Sequence, residues 1–174
     1  MSRLFGPATQ NGIVVADLDA ALAYWTGSLG AGPFFRTNNL PNEYFFQRGR
    51  ELPPPEMSIA IGNWGDLQIE LICPHGDGES TWHQFLKTTG GGLHHISVWS
   101  PTYDAHVQQA REAGLEMECH GKVRNGPRYS YFYADAPGQP LLEIADYTPA
   151  LAALFGHVRD AARNWDGADP VRST

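Results

Sequence analysis

Gln10, Glu70, His95 and Glu143 each stand in an apolar run of strand character, and together they offer one nitrogen and three oxygen donors. That mixture suits a divalent metal ion, whether zinc, nickel, cobalt, manganese or iron(II), and does not choose among them. His95 belongs to the stretch Gly90-Gly91-Gly92-Leu93-His94-His95-Ile96-Ser97-Val98-Trp99-Ser100, a glycine hinge running into an apolar strand. Strict alternation puts His95, Ser97 and Trp99 on one face and His94, Ile96 and Val98 on the other. Glu70 lies between Ile69 and Leu71, and Glu143 between Leu142 and Ile144, so alternation turns both carboxylates away from their apolar neighbours. A glutamate has a free pKa of about 4.3 and needs burial or a nearby ion to serve as a base near neutral pH.

Two repeated sets of elements must bring these groups together. The first half reads as a strand over 12–15 and a helix opened by Asp17, with Leu18, Leu22, Trp25 and Leu29 at helical spacing and Gly30 and Gly32 at its end. Strands follow over 34–36, 44–46, 57–61 and 67–72. A connector carries a turn at 75–78 and a short helical piece at 80–86. The second half begins the order again, with a strand over 95–99, a helix over 103–113 closed by Gly114, and strands over 116–122, 128–134 and 141–145. Residues 10–15 then lie over 95–100, and 67–72 over 140–145, which superposes Gln10 on His95 and Glu70 on Glu143. If the two sheets curl round one hollow, the four groups converge there. Residues 149–165 add a helix with Leu151, Leu154, Phe155, Val158 and Trp165 on one stripe, packed on its own domain or on a second subunit, and 166–174 are a polar tail.

The 174 residues, 42% of them hydrophobic and 18% charged, suit one soluble α+β domain. Module one covers about 8–74, the connector 75–92, module two about 93–147, and the C-terminal helix and tail 148–174. A net charge of -7 disfavours nucleic acid and anionic membrane surfaces as partners. Cys73 and Cys119 are too few for a disulfide framework, no signal peptide core or membrane-spanning run is visible, and a reducing cytoplasm fits. The partners expected are a small-molecule substrate and a second copy of the chain.

The segments around Gln10-Asn11-Gly12, Ile69-Glu70-Leu71, Gly92-Leu93-His94-His95-Ile96 and Leu142-Glu143-Ile144 resemble, in order and spacing, the vicinal oxygen chelate superfamily. Its members include glyoxalase I, methylmalonyl-CoA epimerase, extradiol dioxygenases and metal-free bleomycin-resistance proteins. The resemblance covers roughly residues 8–147 and implies two βαβββ modules forming an open, cup-shaped mixed sheet around a metal held by Gln10, Glu70, His95 and Glu143. It also implies an isomerase, epimerase or lyase. Such an enzyme takes a proton from beside a carbonyl or thioester and stabilises the enolate on the metal, with Glu143 the first choice for the base and Glu70 the second. Gln10 departs from the histidine commonest at the first position and argues against an extradiol dioxygenase. Glutathione-linked glyoxalases carry an arginine and an asparagine four places after the first two ligands, where this chain has Val14 and Pro74. Candidate substrate contacts are Ser97, Trp99, Tyr129, Tyr131 and Arg128. A metal-free binding protein of the same fold is the competing class, and burying two carboxylates and an imidazole without an ion counts against it.

Overall fold

The structure is a computed structural model that describes residues 2–173. Short β-branched and aromatic runs punctuated by Gly, Pro, Asn and Asp give strands, and two longer periodic segments give the helices that back them. In chain order the elements are β1 (Gln10–Val14), α1 (Leu18–Ala23), β2 (Phe34–Thr37), β3 (Asn42–Gln47), β4 (Arg50–Leu52), β5 (Met57–Trp64), β6 (Leu67–Pro74) and α2 (Thr81–Thr89). They continue with β7 (Gly92–Ser100), α3 (Tyr103–Glu112), β8 (Glu116–Val123), β9 (Arg128–Tyr133), β10 (Leu141–Asp146), α4 (Pro149–Ala162) and β11 (Val171–Ser173). All the strands join one mixed sheet in the order β11-β2-β5-β6-β1-β7-β10-β9-β8-β3-β4.

The first strand of each module meets the other at the centre: β1 and β7 pair antiparallel, β1 is flanked by parallel β6, and β7 by parallel β10. Gln10 pairs with Gln68 and Gly12 with Glu70, while His95 pairs with Leu141 and Ser97 with Glu143. The register therefore superposes Gln10 on His95 and Glu70 on Glu143. One departure from the element order is the β3–β4 hairpin, which follows β2 in sequence yet pairs with β8 at the far edge of the second module. Local pattern gives each strand but not its partner, because pairing is set by contacts remote in sequence.

The outer face of the sheet packs on helices. Ile69 and Leu71 meet Leu18 and Leu22 of α1, and Val98 and Ile144 meet Tyr103 and Ala110 of α3. Asp17 caps α1 by accepting from the Ala20 backbone N–H at 3.0 Å. The helix runs on into a π-helical turn, Tyr24–Ser28, instead of continuing its α-helical spacing to Leu29. The inner face carries Val14, Phe45, Met57, Ile72, Tyr129 and Tyr131, with Trp82 of α2 packed among them.

The C-terminal segment covers this inner face. Thr148 accepts from the Leu151 N–H at 3.2 Å, Pro149 opens α4, and Val158 is fully buried against Phe35 and Ile61. Burying a valine contributes roughly 1.5–3 kcal/mol. The expected polar tail is instead tied down: β11 lies parallel to β2, and the Phe34 N–H donates to the Pro170 carbonyl at 2.9 Å. Among the described residues no helix is long and apolar enough to cross a membrane.

Candidate functional site

The glycine hinge delivers β7 to β1. Gly90, Gly91 and Gly92 have φ of 77°, 112° and 129°, and a Cβ on Gly91 would stand 2.7 Å from the Val14 carbonyl oxygen. In the β1–β7 ladder Gly12 faces His95 but Ile13 faces Leu93, so His94 is the extra residue of a β-bulge. Alternation fails at that point. His94, expected on the face opposite His95, turns alongside it, with the two Nδ1 atoms 3.2 Å apart. Its ring packs against Trp82, Phe85 and Tyr131. Burial, and then the neighbouring His95, lower the His94 pKa to about 3, which keeps this imidazole neutral.

His95 is fully buried and its ring lies over Gly12, where a Cβ would come within 1.8 Å of Cε1. Its Nε2 is 3.4 Å from Glu70 Oε2 and 3.5 Å from Glu143 Oε2, yet neither contact has hydrogen-bond geometry. Burial works against protonation of His95, but the carboxylates of Glu143 and Glu70 prevail and raise its pKa. Burial likewise raises the pKa of Glu143, helped by Glu70 and opposed by His95 and by the hydroxyls of Ser97 and Tyr131. Gln10 lies beside this group with its Nε2 donating to Gln68 Oε1 at 2.7 Å, so Oε1 is the side-chain atom left to face a cation.

These groups open on a cavity of about 180 Å³, whose wall includes Gln10, Glu70, Glu143, Trp99, Tyr129 and Tyr131. Tyr129 donates to Asn42 Oδ1 at 3.0 Å, and Trp99 stacks between Tyr147 and Phe155. Ser97 is fully buried, beside Glu143 and behind the cavity wall. Arg128 does not join the wall. Its guanidinium bonds Asp146 at 3.0 Å and Asp104 at 2.9 Å and lies over the Tyr103 ring, tying α3 to β10. Gly12, Gln68, His94 and the α4 side chains Leu151, Leu154 and Phe155 also belong to the site. Their types are common in strands and helices, and nothing in their spacing sets them apart.

Among the described residues no three His, Cys, Asp or Glu side chains form a closed metal-ligand set as placed. The donor chemistry nevertheless fits an ion: an unpartnered buried imidazole nitrogen faces two carboxylates. Two ligands of one ion at ordinary bond lengths of roughly 2.0–2.2 Å lie only about 3–3.5 Å apart.

A duplicated βαβββ sheet, curved so that equivalent positions of both halves line one cavity, defines a vicinal oxygen chelate scaffold. The sequence profile of the Glyoxalase/Bleomycin resistance protein/Dioxygenase superfamily matches residues 9–133, and the chain belongs to that superfamily. It is 24% identical over 119 residues to the mitochondrial methylmalonyl-CoA epimerase of Bos taurus, a match spanning 63% of this chain and 59% of the bovine protein. The methylmalonyl-CoA epimerase of Mycobacterium tuberculosis superposes with a TM-score of 0.60 at 21% identity, covering 88% of this chain and 95% of that one. A Streptomyces coelicolor methylmalonyl-CoA epimerase variant in complex with 2-nitronate-propionyl-CoA gives 0.58 at 19% identity, covering 80% and 95%. At these identities the structural likeness concerns the fold.

Proposed function

We propose that the chain is a metal-dependent isomerase, epimerase or lyase that removes a proton from carbon next to a carbonyl or thioester. The observation that carries this reading is the buried His95 Nε2, without a hydrogen-bond partner, between the carboxylates of Glu70 and Glu143. Gln10 through Oε1, Glu70, His95 and Glu143 would hold the ion. When bound, a divalent cation supplies Lewis-acid charge beside the substrate carbonyl.

Glu143 is the base in this reading. Burial strengthens its hold on a proton, as a carboxylate working near neutral pH requires, and general-base catalysis of this kind contributes about 10²–10⁴-fold. Glu70, at the equivalent position of the other module, is the second carboxylate and can return the proton. Trp99, Tyr129 and Tyr131 position the substrate, Ser97 holds Glu143 from behind, and the aromatic wall excludes water from the carbanion face. The epimerases among the relatives support this class of chemistry.

The test combines metal analysis after reconstitution with deuterium wash-in from solvent across 2-oxo compounds and acyl thioesters. Stoichiometric metal and exchange that a chelator abolishes are expected. Failure to take up metal at neutral pH overturns the reading and favours a metal-free binding protein, whose ligand affinity a chelator would leave unchanged.

A further inference from the structure

We infer that the site takes an uncharged carbonyl compound carrying one compact apolar group, a single ring or a short branched chain, and takes neither an acid anion nor an acyl-CoA. This rests on the reading above for where the reacting carbon lies. The choice of ligand comes from the wall and closure of the cavity.

The size is small. An apolar cavity of about 150 Å³ holds benzene, and this one has about 180 Å³. Its wall is apolar on both sides, with Met57, Ile59 and Ile61 contributed by β5 and Leu151, Leu154 and Phe155 by α4. Among the described residues that line it there is no lysine, arginine or histidine, and the acidic side chains are Glu70 and Glu143. An anionic substrate would therefore meet two carboxylates in a molecule of net charge -7. A divalent cation at the site would be matched by those same two carboxylates, leaving no surplus positive charge for a third anion.

Two of the neighbouring cations point elsewhere. Arg128 is bonded to Asp104 and Asp146, and Arg159 lies beyond Phe155 and Trp99, in a separate hollow shared with Asp66 and Tyr147. The closure is built in as well. Phe155 packs on Trp99 with ring centres 4.5 Å apart, Val158 seats α4 on Phe35 and Ile61, and β11 fastens the tail to β2. This cover lies beyond residue 133, where the superfamily match ends. A CoA ester would have to carry its polar chain and phosphates out past Leu151 and Leu154 without a cation on the wall to receive them.

The experiment titrates the full chain, with and without reconstituted metal, with methyl mandelate, mandelate and propionyl-CoA, each of which carries a hydrogen on the carbon next to its carbonyl, reading tryptophan fluorescence because Trp82 and Trp99 line the cavity. The ester should bind at least tenfold more tightly than the acid, and propionyl-CoA should give no saturable change. Leu154→Arg, at a position 37% exposed and so tolerant of change, should shift the ratio of acid to ester affinity at least tenfold toward the acid. The inference is overturned if the acid or propionyl-CoA matches the ester on the unaltered chain, or if the ester shows no saturable change. Deuterium exchange on the same samples separates the two readings. Exchange of a charged compound without the preference overturns the ligand class and leaves the proposed chemistry standing. The preference without any exchange does the reverse.

Discussion

Gly12→Ala is the most incisive perturbation of the site, because it adds one methyl group and no charge. A Cβ at Gly12 would stand 1.8 Å from His95 Cε1, 2.2 Å from Nε2 and 2.3 Å from Nδ1. Carbon contacts settle near 3.5–4 Å, so the ring must retreat by roughly 1.5–2 Å, which disturbs its placement between Glu70 and Glu143. The cost in stability is that of overpacking, about 1–3 kcal/mol, which a folded domain survives. The cost in function is larger: a displacement of about 1 Å in a reacting constellation can lose roughly 100-fold. Metal affinity by calorimetry and exchange by deuterium wash-in should both fall at least tenfold, while circular dichroism stays that of the unaltered protein. Gly62→Ala is the matched control, since its Cβ would press on the buried Phe34 ring at 2.9 Å, outside the site. It should destabilise without changing metal affinity or exchange. Metal binding and exchange by Gly12→Ala at the unaltered level would refute the placement of His95 as the feature that makes the site.

Glu143→Gln should keep the fold and lose exchange by about 10²–10⁴-fold, and full exchange in that variant excludes Glu143 as the base. His94 gives the apoprotein an acid lability. Its folded pKa of about 3 lies below the ordinary 6.5, so the unfolded chain takes up the proton first and stability falls from pH 6.5 down to about pH 3. Between pH 6.5 and 5 the loss is roughly 2 kcal/mol, measured as a urea midpoint, and His94→Phe should lack that component; equal pH slopes in both proteins contradict it. Arg128→Gln should cost no more than about 1 kcal/mol, because its Asp104 partner is largely exposed, and should leave ligand affinity unchanged; a tenfold loss of affinity would return Arg128 to the substrate site.

Much of this arrangement is legible before folding is considered. The apolar neighbours of Glu70 and Glu143 face α1 and α3, as alternation requires, and the register of β6 on β1 and β10 on β7 superposes the two carboxylates. What alternation misses is His94, because a bulge is one residue of slack between two strands and leaves no periodic trace. The β3–β4 hairpin is missed for a related reason: Tyr44-Phe45-Phe46 reads as a strand, but its union with β8 is a long-range choice made by packing. By its type Arg128 reads as a substrate contact. Its place was decided by Asp104 and Asp146, residues no local pattern links to it.

The duplication also explains why the two halves are alike in what they do and unlike in how they do it. A ligand atom is well placed only when the rest of its side chain is held, and an amide or imidazole carries a second polar atom that needs a partner. In module one that atom is Gln10 Nε2, taken by Gln68 from the neighbouring strand at 2.7 Å. In module two the residue at the place of Gln68 is Leu141, which has nothing to offer His95. The bulge answers this by turning His94 back so that its Nδ1 meets His95 Nδ1 at 3.2 Å. With His94 Nδ1 as the acceptor, the proton sits on His95 Nδ1 and Nε2 is left free to face the carboxylates. The irregularity that breaks the strand's alternation thus supplies a ring nitrogen that can fix the His95 tautomer. A second copy of the first module's solution, a glutamine beside His95, would have served the register but would not have needed the bulge.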